Sequence, residues 1–178
     1  MLSEVSLCPS VDLRLRRVHP PAFDRSRKKW EKLFAQLASI DRREIARIAP
    51  SLLRELGEAE PAPVIEDNDL SKLWTAVGGL RGLRALQKNG DILIELVLYL
   101  QEWNPQVLVI TERLRLEARE LTWHLTRLEA ASNTGKLEIT VPFYAPRAFC
   151  VYYAMTRHVL GLYEVSNRSM FASLRKVL

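Results

Sequence analysis

Cysteine is nearly absent from this chain: 178 residues carry two, Cys8 and Cys150, with no CxxC spacing. That argues against a disulfide scaffold and against a cysteine-based metal frame. Two reduced thiols suit the cytoplasm. Long apolar runs are missing too. A spanning helix needs about 20 predominantly apolar residues. The segment ILIELVLYL at 92–100 offers nine with Glu95 inside it, and Val107–Ile110 adds only four. No membrane insertion is therefore expected. The start, MLSEVSLCPS, has neither a basic region nor an apolar run of seven, so it does not read as a secretory signal. No internal repeat or low-complexity tract occurs. With three histidines in all, Glu120 and His124 stand four apart, where dimetal bundle sites use ExxH. No metal or other cofactor is expected.

The composition that remains is ordinary for a globular protein, 48% hydrophobic and 26% charged. A chain of this length folds as one domain that buries roughly 70% of its unfolded surface. The net charge of +5 is concentrated. Residues 14–32 carry eight basic side chains against Asp24 and Glu31, a local +6, and the remainder sums to about −1. Within the single domain at 1–178, a basic helical region is expected at 1–57, a proline-bearing linker at 58–67 and a bundle core at 68–178.

Val11, Leu13 and Leu15 alternate with polar residues, a short strand pattern that stops at His19-Pro20-Pro21. A helix follows over 22–38, with Phe23, Trp30, Leu33, Phe34 and Leu37 as its apolar stripe. Another runs from Asp41 towards Gly57, kinked or split at Pro50. From Asn68 to Trp103 a long helix is expected, interrupted by Gly78, Gly79, Gly82 and Gly90. Either it breaks near Gly90 or the glycines let another backbone approach, and GGLRG at 78–82 suits a packing groove better than a phosphate loop. At the WNP corner, Asn104 suits an N-cap and Pro105 the first helical position.

The helix from Pro105 to about Ser132 has the clearest pattern. Val107, Leu114, Leu121 and Leu128 recur every seven residues, with Ile110, Ala118 and Leu125 on the other seam positions. Such a seam must be covered along its length. Arg113, Glu117, Glu120, His124 and Arg127 form a charged flank. Gly135 suits the left-handed position past the helix end. KLEITV at 136–141 alternates again and reads as a second strand, able to pair with 11–17. PFYAP then reads as a loop, Arg147–Glu164 as a central helix, and the last residues as a short amphipathic helix capped by Ser166 or Asn167. The expected architecture is all-α: an antiparallel bundle of three long helices plus amino-terminal helices, with a possible minor two-stranded element.

Three function classes compete. The leading expectation is a non-enzymatic protein-interaction or scaffold module, self-association as a homodimer included, because the long seams exceed what the amino-terminal helices can plainly cover. Its candidate interface is Phe143, Tyr144 and Arg147, within a stretch of five aromatics in eleven positions. The second is nucleic-acid binding through Arg14, Arg16, Arg17, Arg25, Arg27, Lys28 and Lys29. The third is a small-molecule or catalytic site inside the bundle, near Glu95, His124 or His158. For Glu95 the bland alternative is an ion pair or an outward position, and for Cys150 an inert buried thiol.

Overall fold

The computed structural model describes residues 22–38, 40, 43–49, 67–101, 104 and 107–178. Among them every regular element is a helix. In chain order they are α1 (Ala22–Ala35), α2 (43–49), α3 (Asp67–Val77), α4 (Gly79–Gln101), α5 (Leu108–Asn133), α6 (Leu137–Ser166) and α7 (Arg168–Val177). The three long helices α4, α5 and α6 pack pairwise around one core; α1 lies on α4, α3 on α4 and α6, and α7 on α6. Cross-helix contacts set the directions. Arg84 meets Glu129 and Gln87 meets Thr122, so α4 and α5 run antiparallel. Asn89 reaches Tyr152, and the Tyr163 hydroxyl donates to the Leu96 carbonyl at 2.9 Å, so α4 and α6 run parallel.

The heptad seam of α5 explains the arrangement. Val107, Leu114, Leu121 and Leu128 are all buried, covered by α4 on one side and α6 on the other. The seam is satisfied within the chain, so its length no longer argues for a second copy. Each fully buried leucine of this kind contributes roughly 1.5–3 kcal/mol.

The single helix expected at 68–103 is in fact two. Gly78 and Gly79 both have positive φ, 86° and 62°, and end α3; only glycine takes such angles without strain. Within GGLRG, Gly82 does admit a close backbone approach, since an added Cβ would stand 1.8 Å from the Val77 carbonyl oxygen; at Gly90 it would stand 3.3 Å from Met155 Cε and 3.7 Å from Leu121 Cδ2. GGLRG is therefore the hinge between α3 and α4, and the suspected break at Gly90 lies inside α4, facing Leu121 of α5 and Met155 of α6. At the next corner the α-helix starts at Leu108, entered through a turn in which Val107 N donates to the Asn104 carbonyl.

The turn from α5 into α6 has the left-handed closure expected of Gly135, whose φ is 68°. Lys136 N donates to the Ala131 carbonyl and Gly135 N to that of Ser132, the paired bonds of a Schellman motif. Beyond the turn the chain departs from expectation. Residues 137–141 are not a strand and PFYAP is not a loop; both belong to α6, which starts ten residues before Arg147 and contains Pro142 and Pro146. The apolar positions that decide this are Leu137, Val141, Tyr144, Ala145 and Ala148, at helical spacing and turned inward, whereas Ile139 is 73% exposed. Burial of that stripe outweighs the two backbone donors that proline removes. The strand-like segment 11–17, Pro50 and residues 58–66 of the linker lie outside the described residues, and the linker's last residue, Asp67, begins α3. At the far end, Asn167 caps α7 by accepting from Met170 N at 3.1 Å.

Candidate functional site

The charged flank of α5 faces α6 across a cleft of about 390 Å³ lined by Arg113, Glu117, Glu120, Arg147 and Cys150. Its chemistry is largely consumed by internal pairing. Glu117 is buried, with Oε1 held by Arg113 Nε at 2.8 Å and Oε2 against His158 Nδ1 at 3.2 Å. A carboxylate committed on both oxygens is a poor general base. His124 is 2% exposed, and neither ring nitrogen has a hydrogen-bond partner. Its Nε2 stands 3.5 Å from Glu120 Oε1, too far for a good bond. Burial holds its pKa below the usual histidine value; Glu120 opposes that shift and Arg147 adds to it.

The three residues expected to line an internal site do not converge. Glu95 is exposed on α4, His124 lies beneath the Trp123 and Tyr144 rings, and His158 pairs with Glu117. Cys150 is buried with Sγ 4.0 Å from the Ala49 carbonyl, a packed thiol. No group of three or more His, Cys, Asp or Glu among the described residues could hold a metal ion. No helix among them is long and apolar enough to cross a membrane.

Of the basic segment, Arg14, Arg16 and Arg17 lie outside the described residues. Arg25 and Arg27 fall on α1, and their side chains are likewise outside the description. Lys28 and Lys29 are exposed on the same helix and take part in interactions there.

The aromatic candidates do come together. Phe143 is 67% exposed on α6, Tyr144 beside it is half-buried, and Arg147 follows one turn on. Tyr144 meets Trp123 of α5 edge to face, centroids 5.5 Å apart, and the Arg127 guanidinium lies 5.2 Å over the Trp123 ring. Trp123 was not among the sequence candidates. It belongs to a second row on α5: Val109, Leu116 and Trp123, again seven apart and 75%, 60% and 47% exposed. The row is offset by two residues from the buried seam, which rotates it to the opposite side of the helix. The signal was legible as a second seven-residue recurrence, masked by the stronger seam beside it.

Comparison of the chain with protein-family models, with curated proteins and with solved structures finds no match.

Proposed function

We propose that this protein is a non-enzymatic interaction module of the cytoplasm, and that its docking face is the outer side of α5 with the adjoining start of α6. The observation that carries this reading is the row Val109, Leu116 and Trp123, exposed on a helix whose own seam is already covered. Single apolar side chains on a surface need no explanation. A line of them along one helix face, joined to α6 through the Trp123–Tyr144 contact and accompanied there by exposed Phe143 and Ile139, has the character of a patch that meets another protein. Pairing of Glu117 with Arg113 and His158 supports a binding role over a catalytic one.

A photo-crosslinking residue placed at 116 or at 143, with position 95 on α4 as control, tests the reading in the cells that make the protein. The expected result is one discrete adduct from 116 and 143 and none from 95. Adducts from all three positions, or from none, overturn it.

A further inference from the structure

The charges that flank the outer row of α5 say which partner fits it. Around Leu116 the helix reads Glu112-Arg113 on one side and Arg119-Glu120 on the other, the same pair in mirror order. On the helix surface, Glu112 and Arg119 lie along one edge of the row, and Arg113 and Glu120 along the other. We propose that the occupant is a second copy of this chain, packed antiparallel along α5 with the two-fold axis at Leu116. This rests on the interaction-module reading above and gives it a partner.

In an antiparallel pair related by a two-fold axis, each edge of one helix meets the same edge of the other. On the row itself a residue a given number of steps past Leu116 then faces the one equally far before it, and along each edge the residue three steps to one side lies nearest the one four steps to the other. Leu116 meets its own copy. Trp123, seven residues on, meets Val109, seven back, so the largest side chain of the row faces the smallest. Along one edge Arg119 meets Glu112 of the second copy; along the other, Glu120 meets Arg113. Symmetry doubles each contact, so four Arg–Glu pairs enclose the apolar row and none of these facing pairs is like-charged. The groups are placed to make these contacts. Among the described residues Glu112 pairs with the exposed Arg115 in its own helix, and Arg113, 65% exposed, engages Glu117 through Nε. The Glu112–Arg115 pair is exposed and exchanges at little cost, while Arg113 can keep its Nε on buried Glu117 and offer its other nitrogens.

A parallel pair would place Trp123 against Trp123, and would set Glu112 beside Arg113 and Arg119 beside Glu120. Charge reversal separates the two arrangements. Sedimentation equilibrium of the purified full-length chain is expected to show a reversible monomer–dimer equilibrium. Leu116→Glu weakens it by more than about tenfold, with circular dichroism and the melting temperature of the dilute monomer unchanged because the side chain is outward. Glu112→Arg and Arg119→Glu each weaken it by about fivefold. The double variant Glu112→Arg/Arg119→Glu restores it, and so does mixing the two single variants. In a parallel dimer the double variant would be the weakest of all, and that result overturns the proposal. So does a dimer insensitive to Leu116→Glu.

A chain that stays monomeric at its highest soluble concentration also overturns it. If position 116 then still crosslinks to a different protein, the docking face survives without self-pairing. If nothing crosslinks, both readings fall. A monomer whose melting temperature falls on Leu116→Glu shows instead that another segment of the same chain covers the row.

Discussion

Asn89 does with one amide what a strand does with its backbone. Buried on α4, its Oδ1 accepts from Ala38 N at 2.8 Å while its Nδ2 donates to the Ala38 carbonyl at 3.0 Å, and Nδ2 also approaches the Tyr152 hydroxyl. The end of α1 is thereby tied to the bundle by one side chain that serves both the amide and the carbonyl of Ala38. Asn89→Ala is expected to cost about 2 kcal/mol and to lower the melting temperature by about 4–8 °C. Asn89→Asp keeps the acceptor for Ala38 N but sets a carboxylate against the Ala38 carbonyl, so its deficit is larger at neutral pH than in mild acid. Equal deficits at both would refute the bidentate clamp.

His124 makes a pH-dependent contribution whose sign follows from its environment. Burial holds the folded-state pKa below 6.5, so the unfolded chain binds the proton more readily. The stability this site contributes is therefore complete above pH 6.5 and is lost as pH falls from there through the folded value. His124→Gln should flatten that part of the curve, measured as the urea midpoint at about pH 7.5 and about pH 5.5. An unchanged slope would place the acid sensitivity elsewhere. The buried position of His124 was only partly legible: its spacing puts it on the charged flank and Trp123 is its chain neighbour, but the Tyr144 ring comes from α6, a tertiary contact.

Among the helices, two glycines of α4 separate what local patterns reveal from what packing decides. At Gly82 an added Cβ would stand 1.8 Å from the Val77 carbonyl oxygen, backbone that cannot move without opening the α3–α4 hinge. Gly82→Ala is expected to cost about 2 kcal/mol, in the range of overpacked cores. At Gly90 the nearest atom is the flexible end of Met155, 3.3 Å away, and alanine gains about 1 kcal/mol of helix propensity. Gly90→Ala is thus near neutral, and Gly90→Ile is destabilising. Thermal melts of the three variants check the ordering. From the sequence Gly82 belonged to a possible packing groove and Gly90 to a possible break, and the choice stayed open because the Val77 carbonyl and the Met155 side chain that distinguish them come from other elements. The first turns of α6 show the complementary error. Over five residues, Leu137, Ile139 and Val141 fit a period of two as well as they fit helical spacing, and only the inward set continuing through Tyr144 and Ala148 decides between them.

For the molecule as a whole, the two heptad rows of α5 separate folding from association. Leu121, in the buried seam, is expected to cost about 3 kcal/mol when changed to alanine, in the range of large-to-small core substitutions. Leu116, five positions earlier and outward, should change stability by no more than about 0.5 kcal/mol. Denaturant unfolding at a concentration low enough to keep the chain monomeric measures both. The seam was readable because two neighbours bury it continuously, so its period survives along the helix. The outer row carries the same period with fewer apolar members, and charged neighbours at each step dilute it.

The sharp turn at Gly135 also orders events in time. It lets the two longest helices touch after only three intervening residues, so their first contacts close a short loop at little entropic cost. Ala38 must find Asn89 across 51 positions of chain. The carboxy-terminal hairpin is therefore the natural seed of assembly. The clamp on the first helix is the late arrival and the first part to let go, so amide exchange at Ala38 should outpace that within the hairpin.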